Sequence, residues 1–185
     1  MGRLLHRLQL VLLLAPFVAV GTALVFGLTL PRGHRFGRAV TVEAAAERAF
    51  ALLADVEGWP RWSARVRAVE ALPEHDGRRT WRLKLGSDRR GAYLTLADGT
   101  PPQRLVFELA DSAGPFRGVW HFAVVPLAGG CRVELVEEAR YGNPFARFLV
   151  HLASDKARLA EDMLRDLARA LGEASPEIER MEPAP

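Results

Sequence analysis

The run Ala39-Val40-Thr41-Val42-Glu43, followed by Ala46-Glu47-Arg48-Ala49-Phe50-Ala51-Leu52-Leu53-Ala54-Asp55 and then by Trp59-Pro60-Arg61-Trp62-Ser63, decides how the chain is read. Alternating apolar and polar residues predict a strand over 36–43. From Ala44 the period changes, and Phe50, Leu53 and Ala54 share one face at helical spacing. Gly58 and Pro60 then stop the helix, since proline has no amide donor to continue the ladder, and leave two tryptophans to pack at the break.

Downstream, alternating segments at 66–72, 80–85, 91–98, 104–109, 117–126 and 131–140 are separated by Asp76-Gly77, Asp98-Gly99, residues 112–115 and Gly129-Gly130. Turn chemistry between period-2 runs predicts an antiparallel meander. The period also sorts the faces. Trp81, Leu83 and Leu85 point one way, as do Leu105, Phe107 and Leu109, and Trp120, Phe122 and Val124. On that phase His121 turns outward.

One long helix is predicted over 144–171, with Asn143 as N-cap, Pro144 at the first helical position and Gly172 just past the end. Phe145, Leu149, Leu152, Leu159, Met163, Leu167 and Ala170 form its apolar stripe, which must bury against the sheet. The Pro- and Glu-rich tail, residues 173–185, is expected to be disordered.

Residues 8–30 contain no charged side chain. At 1.5 Å per residue the run is about 35 Å long, enough for a hydrocarbon core of about 30 Å, and it predicts an N-terminal transmembrane anchor over 1–32. A cleaved signal peptide is the rival, with Arg3 and Arg7 as its basic region, but the apolar run outlasts a usual signal core. The expected location is therefore a membrane, single-pass. Arginines flank both ends, so the side on which the soluble domain lies stays open.

With 185 residues the chain has room for one ordinary domain besides that segment. A net charge of +3 comes from arginines interspersed with acids, a mixed surface that argues against nucleic acid as a partner. The single cysteine, Cys131, excludes an internal disulfide and a cysteine-based metal cluster, and its place at the start of an alternation suits a small core residue. The five histidines show no ligand spacing, and no phosphate loop or dinucleotide fingerprint occurs, so no metal or cofactor is expected.

The quoted strand, helix and aromatic-Pro-x-Trp turn, with the meander and final helix behind them, resemble the helix-grip fold of the START and polyketide-cyclase-like superfamily, also called SRPBCC. The resemblance spans residues 33–172. It implies an α+β domain, a curved antiparallel sheet of about seven strands wrapped around a long C-terminal helix, with a cavity between them that holds lipids, polyketides or other apolar molecules in relatives.

Strand and helix phase line that cavity with Trp81, Leu83, Phe107, Trp120, Phe122, Leu149, Leu152, Leu159 and Met163, with Trp62 near its mouth. Aromatic residues at strand spacing also serve as plain core. Lys156 stands seven residues after Leu149 and so falls within the apolar stripe, as a candidate ligand anchor or as a snorkelling side chain. Ser63, His121 and Asp98 can be assembled into a hydrolytic triad only on paper, since no nucleophile elbow supports it.

The function expected is a membrane-anchored binding or transfer module for a lipid or other apolar small molecule, rather than an enzyme; no protein partner is specified. One alternative is a cyclase- or dehydratase-like enzyme using Lys156 with Tyr93 or His151. The other is a non-catalytic adaptor, which would present an exposed apolar patch on the outer sheet face.

Overall fold

The computed structural model describes residues 2–86, 91–111, 116–152 and 157–182, without the side chains of residues 2–12 and of Val150. Two compact units divide the chain, one made of residues 33–140 and 155–185 and the other of residues 1–32 and 141–154.

The larger unit is an eight-stranded sheet. Its strands are β1 (Gly33–Val42), β2 (Val66–Ala71), β3 (Thr80–Leu85), β4 (Ala92–Thr100), β5 (Arg104–Asp111), β6 (Phe116–Leu127), β7 (Gly130–Tyr141) and β8 (Ile178–Met181). They lie in the order β2-β3-β4-β5-β6-β7-β1-β8, so the meander runs in sequence and the first strand closes it beside β7. Register shifts between Val66 and Ala68 and between Leu96 and Asp98 bend β2 and β4. Two helices pack on this unit, α2 (Ala46–Ala54) against β5 and β6 and α4 (Arg158–Ala170) against β1. A 3-10 helix, Val56–Arg61, carries the Trp59-Pro60 break.

α4 ends where the sequence places its stop. Gly172 adopts φ 111°, its amide donates to Arg169 O at 3.0 Å, and the Glu173 amide donates to Ala168 O at 3.0 Å. That paired closure satisfies carbonyls the helix would otherwise leave open. The buried stripe is Ala160, Met163, Leu164, Leu167 and Ala168. It is rotated slightly from the expected one, and Leu159 is only partly buried.

The tail expected to be disordered contributes the eighth strand. Arg38 faces Arg180 and Val40 faces Ile178 across the β1–β8 ladder. The Arg132 guanidinium meets Glu179 at 2.7 Å, and a side chain at Gly37 would collide with the Met181 carbonyl at 2.9 Å. The absent Cβ is what lets β8 dock so closely, and no periodicity in a four-residue strand announces it.

The smaller unit consists of α1 (Gly2–Thr29) and α3 (Pro144–Leu152). Gly27 permits the close approach, since a Cβ there would lie 2.0 Å from Pro144 O. Asn143 caps α3 as expected, its Oδ1 accepting from the Phe145 amide at 2.8 Å. The buried Arg147 guanidinium donates to the carbonyls of Tyr141, Gly142 and Gly27 at 3.1, 3.3 and 3.3 Å.

Two expectations are corrected here. The single helix over 144–171 is instead two elements in separate units, with residues 153–156 outside the description. Its first half lies beside α1, with Phe148 edge-on to Phe26 at 6.1 Å, while Phe145, Leu149 and Leu152 of the expected stripe are exposed. The membrane anchor is the second correction, and with it the single-pass membrane location. Among the described residues no helix is long and apolar enough to cross a membrane. The earlier part of the 8–30 run has side chains outside the description.

Candidate functional site

The sheet alternation turns one row of side chains inward on each strand. On β3, β5 and β6 these are Trp81 and Leu83, Leu105 and Phe107, and Trp120, Phe122 and Val124, all buried. The helical break adds Trp59, whose ring lies 5.7 Å from Phe107, 6.2 Å from Trp62 and 6.4 Å from Trp120. Trp81 and Phe122 flank Phe107 at 6.4 and 6.2 Å, edge to face. Such tilted contacts suit the positive edge and negative face of aromatic rings. One end of the inner face is thus lined by rings in mutual contact.

The other end is polar. β7 points Cys131, Val133, Leu135, Glu137 and Ala139 inward, and the fourth of these is a carboxylate that is only 6% exposed. Its Oε2 accepts from Trp120 Nε1 at 3.0 Å, and its Oε1 lies 3.6 Å from His34 Nε2. His34 stacks on Phe36 at 5.1 Å with the planes 6° apart, and the Arg38 guanidinium lies 5.4 Å from the same ring. Arg38 is held in turn by Glu161 of α4, Nε to Oε1 at 2.6 Å. The register sets Phe36 opposite Glu137 and His34 opposite Ala139, so two neighbouring strands build the whole group.

A carboxylate costs several kcal/mol to bury unless it is paired and bonded. Here it is met by one indole N–H, with an imidazole close by. Chemically the group offers an acceptor to a hydroxyl or amine and a neighbouring base that can carry a proton. Cys131 lies inward on the same strand, and burial first, then the charge of Glu47, push its thiol above the ordinary range. That makes it a poor nucleophile at neutral pH.

Of the residues expected to line a pocket, Trp81, Leu83, Phe107, Trp120, Phe122 and Met163 are buried in one cluster, with Trp62 and Leu159 packed against it. Leu149 and Leu152 lie on α3 in the smaller unit, 48% and 69% exposed. Lys156 lies outside the described residues. Of its suggested partners, His151 is exposed on α3, and Tyr93 lines a depression of about 290 Å³ on the outer sheet face with Thr95, Glu108 and Arg117.

The paper triad does not converge. His121 is outward, 3.9 Å from Glu138, Asp98 pairs with Arg104 at 3.4 Å, and Ser63 is buried. Among the described residues no cluster of His, Cys, Asp or Glu could hold a metal ion. The outer face carries ion pairs, Arg78–Glu108 at 2.9 Å, Arg82–Glu70 at 3.2 Å and Arg35–Glu138 at 3.1 Å.

Sequence reasoning passed over His34, Arg38 and Glu137. A signal for the last was present, because Glu137 stands in phase with Val133 and Leu135, where period 2 requires an inward side chain.

Comparison with known proteins agrees with this architecture. No curated protein matches the chain in sequence. The di-domain ARO/CYC StfQ from the steffimycin biosynthetic pathway is similar in fold, with TM-score 0.61 at 14% identity over 75% of this chain, which spans only half of that protein. The Zhui aromatase/cyclase from Streptomyces gives TM-score 0.59 at 18% identity, covering 75% of this chain and 93% of its own. A conserved protein from Geobacillus kaustophilus gives 0.60 at 15% identity, covering 78% and 99%. At these identities the likeness is one of fold. The model of the family described as polyketide cyclase / dehydrase and lipid transport matches residues 33–172, well over half of the chain, and the chain belongs to that family.

Proposed function

We propose that this chain binds an apolar small molecule carrying a hydrogen-bonding group, seated against the inner sheet face with its polar end at Glu137 and His34. The observation that carries this reading is the buried Glu137 carboxylate at the polar end of an inner face whose other end is aromatic. Apolar walls with a few convergent polar groups are the ordinary build of a small-molecule site. Family membership supports the same reading. Trp62, Trp120, Phe107 and Met163 supply the apolar surroundings, and α4 the cover. The test is mass spectrometry of organic extracts from the purified full chain against a mock purification. Enrichment of an apolar compound bearing a hydroxyl or amine is the expected result. A blank, together with no uptake of naphthalene-type probes, overturns the reading.

A second reading, proton transfer on a bound substrate, draws on the imidazole 3.6 Å from the carboxylate. It predicts that Glu137→Gln retains the extracted compound yet changes its chemical fate, as read by the same mass spectrometry after incubation. An unchanged fate removes it.

A further inference from the structure

Two buried donors in the larger unit have no partner. Trp62 Nε1 and Ser63 Oγ are sequence neighbours at the close of the 3-10 helix, and both are shielded from solvent without a hydrogen bond. Ser63 is only 3% exposed, while Trp62 packs on the aromatic cluster, edge-on to Trp59. The other tryptophans are answered, Trp59 Nε1 by Leu53 O at 3.1 Å, Trp81 by Glu57 at 3.3 Å and Trp120 by Glu137 at 3.0 Å. Buried donors without acceptors are uncommon in folded chains, because each loses its water without replacement.

The charged groups along this segment are engaged elsewhere. Asp166 accepts from the Ala64 amide at 2.8 Å, Asp162 is held by Arg65 and Arg165, and Arg61 is paired with Asp55 at 2.6 Å. With the acids taken, no carboxylate answers the two donors. With the arginines neutralised, nothing here favours an anion. What suits two neutral donors beside an indole cluster is a neutral oxygen acceptor on an apolar frame.

We propose that Trp62 Nε1 and Ser63 Oγ form an acceptor subsite for the carbonyl or ether oxygen of the ligand, at the aromatic end of the inner face. This rests on the pocket reading above and adds to it the chemistry of the ligand's other end, so that the molecule bound would carry a donor toward Glu137 and an acceptor toward Ser63.

The experiment is a fluorescence titration of the full chain with 2-acetylnaphthalene and with 2-ethylnaphthalene, which differ at the carbonyl, on the native protein and on Ser63→Ala and Trp62→Phe. One net hydrogen bond is worth about two- to tenfold in affinity. The native protein should prefer the ketone by that factor or more, and each variant should lower the ratio of ketone to 2-ethylnaphthalene affinity, with 2-ethylnaphthalene binding as the reference within each protein. Ser63→Ala should not lower Tm, since the hydroxyl it removes bonds nothing in the chain. Equal affinity for the two probes in all three proteins means that the donors serve a buried water only, and overturns the subsite while sparing the pocket. Binding of neither probe overturns both.

Discussion

The two ends of the inner sheet face are built on the same strand alternation and made of opposite materials. At the aromatic end Trp59, Trp81, Phe107 and Phe122 meet edge to face. At the polar end His34, Phe36, Arg38 and Glu137 form a row of stacked and charged groups tied to α4 through Glu161. Burial of apolar area drives the first end together without further cause. The second costs desolvation that a leucine in place of Glu137 would not, so folding by itself gives no reason for it. Stability is therefore expected to reside mainly at the aromatic end, and the charged contact to the ligand at the polar end.

The largest effect should come from breaking the aromatic end. Phe107→Ala removes a ring that touches three others and should cost about 3–5 kcal/mol in urea-induced unfolding. A loss under about 1 kcal/mol would mean that the rings are not close-packed. Next comes Glu137→Ala, which leaves the Trp120 indole N–H buried without an acceptor and should cost about 1–3 kcal/mol. Glu137→Gln keeps an acceptor there and should recover most of that loss. If the glutamine variant is as unstable as the alanine one, the negative charge itself is structural and the contrast between the two ends weakens.

Smaller still is Arg132→Gln, which releases Glu179 of β8 from a partly exposed pair and should cost under about 1 kcal/mol, seen as faster amide exchange in β8. The smallest effect concerns pH. Because burial and Glu47 raise the Cys131 thiol, the folded chain keeps a proton that the unfolded chain releases above about pH 8.5. The stability tied to the protonated thiol is complete below that pH and declines as pH rises toward the folded value. Cys131→Ala should flatten the decline, as followed by Tm between pH 7 and 10.

Much of the sheet was legible because period 2 is a strong signal when turns punctuate it. The inward set on β3, β5 and β6 follows from alternation alone, and the stop of α4 from Gly172. What was not legible depends on which surface wins a competition. The apolar stripe of Phe145, Leu149 and Leu152 is as periodic as that of α4, yet periodicity names no partner, and in the smaller unit α3 meets α1 through Phe148 while these three are exposed. β8 is too short to have a period, and its docking depends on the missing Cβ of Gly37. Of the candidate site, the aromatic half could be read and the polar half was missed. His34, Arg38 and Glu137 lie in phase with apolar neighbours, but charged residues in strands are read by habit as outward. Arg132, Glu134 and Glu138, which flank the inward row on the same strand, are the ordinary case that hides the exception.

The most direct test of recognition at the polar end is a fluorescence titration of the full chain with 2-naphthol and 2-methylnaphthalene, before and after Glu137→Gln. The two probes differ at the hydroxyl that would donate to the carboxylate. A bond of that charge-assisted kind corresponds to about tenfold in affinity or more. The native protein should prefer 2-naphthol by that factor, and the preference should collapse in the variant, whose one amide oxygen is taken by the Trp120 indole N–H and whose N–H₂ cannot accept from the hydroxyl. Equal binding of the two probes to the native protein, or a preference that survives Glu137→Gln, would contradict the assignment of Glu137 as the group that orients the ligand.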